Sequence, residues 1–520
     1  MLFHKIFHKK QNFFSSSLDS HIRDFYAGDL RALAKIFCVF SENISTQKLK
    51  ASQVLNEALI LSSFDDICKI DIQMRETTSM EWNIDWKTLK IENFITKQMS
   101  KDEQRAVLIF SSFNPNGYIR EQALKLLVFY EETLPYLVLR LNDWVYNVRQ
   151  TALTMFSKRL VEATDEELIN TLPFLHKLQK SKRGDNFIIS SLMQDKFCAN
   201  EKLLEKGLAN SDVRTRKTCL SFISNTSLPK TALLLKHIKK ESDPFVRRMI
   251  FQILFKENIK IEELSKQFLK DKYPANRLLA LQYLYDYNID LAFIKAYQML
   301  LDRNLQVRIL SREIIKTIKK TDNFHQFYLE NLSSNTTIAV YGLGEVGCKE
   351  DCYIIGPYLK NNKIAVIRAA MISLMHLDSE KYITLITEML YSEHSSIVNT
   401  AFILLKKYKD YDYKKILKAY QEIDYENAKI KCALLLFQAS KWKTLLYILT
   451  IIGSNYEKLQ IYRIMFNENS SNSVIKKFVN EAFHIENDYL FQLNPCEYDT
   501  VPQYIIDECD KDILEICPQG

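Results

Sequence analysis

Residues 364–370 read Ile364-Ala-Val-Ile-Arg-Ala-Ala370, an apolar residue followed by arginine and then by small residues. The same order recurs as Val148-Arg149-Gln-Thr-Ala152 and as Val307-Arg308-Ile-Leu-Ser311. Around these copies, apolar residues return every three or four positions, which indicates amphipathic helices that each bury one face. The recurring segment therefore predicts an internal helical repeat.

Each copy of the segment has an anchor position, which is usually arginine. Seven anchors are arginines, namely Arg120, Arg149, Arg216, Arg247, Arg277, Arg308 and Arg368, and weaker copies have anchors at positions 186, 339, 399, 431 and 460. Successive anchors are 29 to 32 residues apart, except for one gap of 37 between positions 149 and 186. A unit of about 31 residues accommodates two helices and two short connections. The sequence thus predicts an all-α fold, an α-solenoid or superhelix of about 12 helical hairpins.

Local signals assign the two helices of each unit. Polar residues before the anchors are predicted to cap the first helix, and they are Asp143, Asp243, Asp271, Asp302 and Asn362. Pro135, Pro173 and Pro357 each precede an aromatic residue and a leucine, and we expect them near the start of a second helix.

Residues 338–370 carry a family resemblance. The segments Ile338-Ala-Val-Tyr-Gly-Leu-Gly-Glu-Val-Gly347, Ile354-Ile-Gly-Pro-Tyr-Leu359 and Ile364 to Ala370 resemble the HEAT-like repeat of the phycobilisome-lyase type. The similarity extends over about residues 102–482 and concerns the repeat architecture. It implies a helical-repeat scaffold and brings no catalytic residue with it.

The composition agrees with a folded helical protein. Apolar residues make up 47% and charged residues 26% of the 520 positions, and only 10 Gly and 10 Pro occur, which leaves little turn chemistry for an all-β fold. The 10 cysteines are scattered, and no secretory signal or long apolar run is present. We therefore expect a cytoplasmic protein with reduced cysteines and no transmembrane segment.

Charge and pattern divide the chain into three predicted regions: an N-terminal helical capping region at 1–100, the HEAT-like solenoid at 101–483, and an acidic tail or cap at 484–520. The last region holds nine acidic residues and one lysine, a net charge of −8, which leaves +15 on the first 483 residues. That positive charge is mild over so long a surface and does not by itself specify a nucleic-acid partner.

Two motifs could indicate a nucleotide-binding or metal site. Gly342-Leu-Gly-Glu-Val-Gly347 matches a nucleotide-binding fingerprint, but the repeat runs through it, so we interpret the glycines as close-packing positions with a left-handed cap at the helix end. Cys348 and Cys352 lack a second pair of metal ligands nearby. We expect no catalytic residue, cofactor or metal site.

The arginine anchors have two interpretations. They form either a phosphate-binding stripe or, as we favour, structural pairs with acidic residues of their own or a neighbouring unit. Candidate partner-binding residues lie instead on the second helices, which line the concave face of such solenoids, and are Lys236, Lys239, Lys266, Lys295, Tyr297, Lys418 and Tyr420. We expect the tryptophans, among them Trp86 and Trp144, to fill core positions.

The first functional hypothesis is a non-catalytic scaffold that binds a partner protein or peptide on its concave surface. The alternatives are a nucleic-acid-binding solenoid with a basic groove and a lyase-like accessory enzyme. The N-terminus, with Leu2, Phe3, Ile6 and Phe7 beside Lys5, Lys9 and Lys10, is either a packed or frayed end or a peripheral membrane contact. The identity of the partner is not encoded in these patterns.

Overall fold

A computed structural model describes residues 18–76, 84–181, 186–225, 230–320, 323–436 and 438. Every regular element in these ranges is an α-helix or a short 3-10 helix. The N-terminal part contains helices α1 (Ala32–Phe37), α2 (Ser45–Leu61) and α3 (Phe64–Glu76), and α4 (Lys101–Ser112) follows with a capping box formed by Ser100 and Glu103. The predicted all-α class is confirmed.

The first helices of the hairpins follow the predicted register. They are α5 (Gly117–Leu127), α7 (Tyr146–Glu162), α9 (Asn186–Ala199), α11 (Val213–Ser224), α13 (Pro244–Lys256), α15 (Pro274–Tyr287), α17 (Leu305–Lys319), α19 (Thr336–Val346), α21 (Ile364–Leu377), α23 (Ser395–Tyr408) and α25 (Glu426–Leu436). The anchor is the fourth residue of α5, α7, α11, α13, α15, α17 and α19, and the fifth of α21 and α23. The register is offset at two anchors, since position 186 is the first residue of α9 and position 431 the sixth of α25. Position 460 lies outside the described residues.

The second helices alternate with the first ones. They are α6 (Leu134–Arg140), α8 (Asp165–Gln179), α10 (Glu201–Leu208), α12 (Thr231–Ile238), α14 (Ile261–Phe268), α16 (Ile289–Met299), α18 (Phe324–Glu330), α20 (Cys352–Ile355), α22 (Ser379–Glu388) and α24 (Tyr413–Glu422). Pro135 lies in the first turn of α6, as expected. Pro357 lies after the end of α20, as the second residue of a 3-10 helix at Gly356–Lys360, and Pro173 lies inside α8. The predicted positions of Pro357 and Pro173 near the start of a second helix were therefore wrong.

Helices of the same kind pack side by side along the array. First helix α5 contacts α7, α11 contacts α13, and α19, α21, α23 and α25 contact one another in succession. Val148, Ala152 and Phe156, spaced four residues apart on α7, have no exposed surface. Because no single hairpin can remove such a stripe from water, burial requires the neighbouring hairpin, and this requirement makes the chain a solenoid.

The chain divides into two compact units, residues 1–268 and 269–520. The boundaries near residues 100 and 483 were predicted from charge and sequence pattern, and the division into compact units does not test them. They stay predictions, since residues 484–520 and the first 17 residues lie outside the described ranges. No helix in the described part of the chain is both long and apolar enough to span a bilayer.

The glycine motif lies in α19 and brings helices close together. A methyl group at Gly342 would overlap the Tyr328 ring, and one at Gly344 would overlap Ser373 of α21. The close-packing interpretation therefore agrees with the structure. The left-handed cap was wrong, because Gly347 has a φ of −83°.

Candidate functional site

The anchor arginines join consecutive units through buried ion pairs. Arg120 donates through Nε and Nη2 to the two carboxylate oxygens of Asp143, at 2.9 and 2.8 Å, and neither side chain is exposed. Arg216 contacts Glu241 in the same way at 2.9 and 3.0 Å, as does Arg277 with Asp302 at 2.7 and 2.6 Å. In each pair the acidic residue belongs to the loop before the next first helix.

The third nitrogen of each guanidinium contacts its own unit. Nη1 of Arg120 donates to the carbonyl oxygens of Asn114 and Pro115 at 2.8 Å, and Nη1 of Arg149 donates to the Asp143 carbonyl at 2.7 Å. This contact with the carbonyl six residues earlier recurs for Arg216, Arg247, Arg277 and Arg308. Asp143 thus accepts from Arg120 with its side chain and from Arg149 with its backbone, which ties two units together.

The remaining anchors vary the pattern. Arg308 pairs with Glu345 of α19, and Arg368 donates to the Thr400 hydroxyl at 2.8 Å.

Burial alone raises the pKa of the Asp143 carboxyl, but hydrogen bonds and charge from Arg120 and Arg140 outweigh burial and lower this pKa below its ordinary value. These guanidinium groups are occupied by protein oxygens, which leaves them poorly placed to bind phosphate.

The capping prediction was wrong at four of its five residues. Asp143, Asp271 and Asp302 lie two residues before the N-caps, and Asn362 lies one residue before its N-cap. Asp143 and Asp302 instead accept hydrogen bonds from an arginine. Asp243 caps α13 as predicted, by accepting the amides of Phe245 and Val246. The side chains that cap α5, α11 and α17 are Asn116, Asp212 and Asn304.

Most of the candidate partner-binding residues are surface residues with protein neighbours. Lys236 pairs with Glu205 at 2.6 Å, Lys266 with Glu262 at 3.6 Å and Lys418 with Glu422 at 3.7 Å. Lys239 is exposed just after α12. Two further members lie half-buried on α16: Lys295 donates to Gln298 at 2.9 Å, and Tyr297 packs edge-on against Phe293.

Tyr420 was expected on the binding surface but is only 7% exposed. It packs in the apolar core that α22 to α25 share, so its ring is not available to a partner. The reverse holds for Trp144, which was expected in the core and is 66% exposed in the loop before α7. Trp86 does fill a core position, stacked on Phe37.

A groove of about 610 Å³ lies in the first unit, on the side formed by second helices. One wall is the end of α2 and the start of α3, with Asn56, Ile60 and Phe64. The floor and the other wall come from α4, α6, α8 and the start of α11, whose lining residues are Arg105, Ile109, Glu132, Pro135, Tyr136, Glu166, Glu167, Ile169, Asn170, Pro173, Phe174, Asn210, Asp212 and Thr215.

The floor of the groove is aromatic. Phe64 meets Phe174 edge-on with ring centroids 4.8 Å apart, and Tyr136 lies 6.3 Å from Phe174. Burial raises the pKa of the Tyr136 phenol to about 12, so its hydroxyl stays protonated at neutral pH. Ile60, which lines the groove, is 74% exposed, and the next residue in the chain, Leu61, is 68% exposed. Apolar surface of this kind beside a concave floor is typical of a protein-interaction site.

Polar side chains in the groove retain bonding capacity. Within the described residues, the Asn56 amide, the Asn170 amide and the Tyr136 hydroxyl make no hydrogen bond to another protein group; Asn170 is exposed, and Asn56 and Tyr136 are half-buried. An asparagine amide both donates and accepts, as a peptide backbone does, so these side chains are suited to bind an extended chain. No sequence motif marks this groove, and its one local signal is the pair of apolar residues, Ile60 and Leu61, that ends α2.

Cys348 and Cys352 do not form a metal centre with neighbours in the described ranges, where no cluster of three or more His, Cys, Asp or Glu side chains has suitable geometry. Cys352 is buried and Cys348 exposed. Asp351 instead caps the local turn by accepting the Cys348 amide at 2.8 Å and contacts His325 at 2.7 Å.

No protein-family model matches the chain, and a search of curated proteins finds no relative. Among solved structures, the chain is similar to a mutant of Kap121p, with 12% identity and a TM-score of 0.35 over 84% of this chain and 55% of the other. It is also similar to Kap121p bound to Ste12p, with 12% identity, a TM-score of 0.32 and coverages of 85% and 55%.

A third similar structure is the karyopherin Kap121p bound to the extreme C-terminus of the protein phosphatase Cdc14p, with 12% identity, a TM-score of 0.21 and coverages of 93% and 51%. The chain spans about half the length of the solved structures it matches. Its membership of the helical-repeat class rests on its own stacked hairpins.

Proposed function

We propose that this protein is a non-catalytic helical-repeat scaffold that binds a partner protein or peptide in the groove of its first unit. The observation that carries the proposal is the groove itself, which combines an aromatic floor, the exposed aliphatic side chain of Ile60 and amide groups that bond to no protein group in the described residues. Apolar burial would supply affinity, and the amides would orient an extended chain. Second helices α6 and α8 line it, the kind of element expected on a concave wall.

The charge pattern favours protein over nucleic acid as the ligand. Lys236, Lys266 and Lys418 each pair with a glutamate, so second helices carry both signs of charge in place of a continuous basic stripe. Binding along a phosphate backbone requires several unpaired cations in a row. The lyase-like alternative has no residue-level support, because the resemblance to the phycobilisome-lyase type concerns repeat packing alone. A cytoplasmic location is part of the same proposal.

Partner capture with the full chain tests the proposal. Purified chain is immobilised, bound proteins are recovered from a nuclease-treated lysate, and recovery is compared between the wild type and the Ile60→Asp variant. Ile60 is 74% exposed, so the charged replacement leaves the fold intact while placing a carboxylate at the groove rim. We expect the proteins bound to the wild type to be lost from the variant.

Ile403→Asp is the matched control, since Ile403 is 63% exposed on α23 in the second unit. It should recover the same proteins as the wild type. If Ile60→Asp and Ile403→Asp both retain all proteins, the groove is not the binding site and the proposal fails.

A further inference from the structure

We infer that the groove recognises a basic segment of a partner, one that carries lysine or arginine side chains next to a large apolar side chain. The inference rests on the proposed function and adds the chemistry of the ligand. Its basis is a charge imbalance among the side chains that line the groove and the ion partners of those side chains.

Arg105 lines the groove, and two further arginines outside the lining pair with its carboxylates; each of the three is shared by two carboxylates. Arg105 contacts Glu132 at 3.0 Å and Asp102 at 3.2 Å. At the floor, the buried Glu167 takes a hydrogen bond of 2.6 Å from Arg159, which also contacts Glu162 at 3.6 Å. One positive charge cannot neutralise two negative ones, so each pair of carboxylates leaves an excess of negative charge.

The far end of the groove repeats this arrangement. Arg214 contacts Asp65 at 2.8 Å and the groove-lining Asp212 at 3.2 Å. Glu166, an exposed carboxylate of the lining, has no cation within bonding distance among the described residues. Among the described side chains that line the groove, Arg105 is the one cation beside four carboxylates, Glu132, Glu166, Glu167 and Asp212. With the ion partners outside the lining included, three arginines pair with six carboxylates and Glu166 is the seventh, an excess of four negative charges on a chain whose net charge is +7.

This excess of negative charge favours a positively charged ligand. Charges lining a concave site of low dielectric attract oppositely charged groups and repel like-charged ones more strongly than charges on a flat surface do. A lysine or arginine near Glu166 and Glu132 would complete the unbalanced ion pairs. An acidic segment would instead add to the repulsion.

The apolar part of the ligand follows from the groove shape. The floor of Tyr136 and Phe174 and the exposed Ile60 offer a surface for one large aliphatic or aromatic side chain. The volume of about 610 Å³ lies in the usual range of ligand pockets and holds a few side chains at once. A short peptide segment with mixed basic and apolar residues therefore fits both charge and shape.

Fluorescence anisotropy with two synthetic 12-residue peptides tests the inference on the full chain. One peptide contains Lys, Phe, Leu and Gly, and the other has Glu at every Lys position. We expect the lysine peptide to bind and to weaken as salt increases, and the glutamate peptide not to bind. Glu166→Lys should weaken binding of the lysine peptide about tenfold, because it reverses an unpaired charge in the groove.

Glu313→Lys is the matched control, because it makes the same charge change at an exposed residue of α17, outside the groove. It should leave binding unchanged, and circular dichroism should show equal folding of all variants. The inference is overturned if the lysine peptide does not bind, or if Glu166→Lys binds it as tightly as the wild type does.

Other outcomes separate the two proposals. Equal binding of both peptides, lost in Ile60→Asp, would overturn the basic ligand and leave the groove as a binding site. Binding of the lysine peptide only after removal of residues 1–17 would identify the chain's own basic N-terminal segment as the occupant, and would overturn a separate partner.

Discussion

Arg120 makes four hydrogen bonds with its three guanidinium nitrogens, and these explain why arginine occupies the anchor position. Its Nε and Nη2 bind Asp143 of the next loop, while Nη1 binds two carbonyls of its own loop. Lysine has one charged nitrogen and cannot make these contacts simultaneously. Where the anchor is not arginine, as at Ala339 in α19, apolar packing and close approach of the helices connect neighbouring units.

The ion pair of Arg216 with Glu241 should make the free energy of unfolding depend on pH. Burial by itself raises the pKa of Glu241, but hydrogen bonds from His237, from the Asp243 amide and from Arg216 outweigh burial and hold the pKa at about 2. The ordinary value is 4.5. Because the folded-state pKa is depressed, the stabilisation is present above the ordinary value and is lost as the pH falls toward the folded-state value.

We therefore expect urea unfolding to show the free energy of unfolding falling between pH 5 and pH 2 more steeply for the wild type than for Glu241→Gln. The glutamine variant should be less stable at pH 7, and the difference should shrink as the acid window is crossed. A difference between the two proteins that stays constant across this window would contradict the account.

At the scale of helices, α19 and α21 approach each other more closely than ordinary side chains allow. Gly344 faces Ser373, whose hydroxyl donates to the Val340 carbonyl at 2.9 Å, and His376 contacts the Gly344 carbonyl at 2.7 Å. The Gly-x-Gly pattern therefore serves helix packing. Its resemblance to a nucleotide-binding motif arises because both uses need a position without a side chain.

Gly344→Ala should lower the free energy of unfolding by about 1–3 kcal/mol, since the added methyl group overlaps the Ser373 backbone and forces the helices apart. Chemical denaturation measures the effect. Gly356→Ala is the control: a methyl group there meets no atom within 4 Å, so its stability should equal or slightly exceed that of the wild type. Equal stability of the two variants would refute close packing at Gly344.

Across the described parts of both units, basic residues are distributed among acidic ones. The anchor arginines are bound to protein oxygens, and lysines of the second helices pair with glutamates. We expect no mobility shift of duplex DNA or single-stranded RNA with the full chain, even at about 50 mM salt, where phosphate contacts are strong. A shift that fades steeply with added salt would reinstate the nucleic-acid hypothesis.

The sequence by itself determined the helical hairpin, its length and its register, because these depend on periodic apolar residues and on caps close in the chain. Nine of the anchors fall at the fourth or fifth residue of their helices for this reason. Only the tertiary structure decided where Trp144 and Tyr420 lie and which carboxylates share an arginine. The groove brings Ile60 and Asn170 together across more than a hundred residues, and such proximity depends on how packed helices are arranged, which local periodicity does not specify.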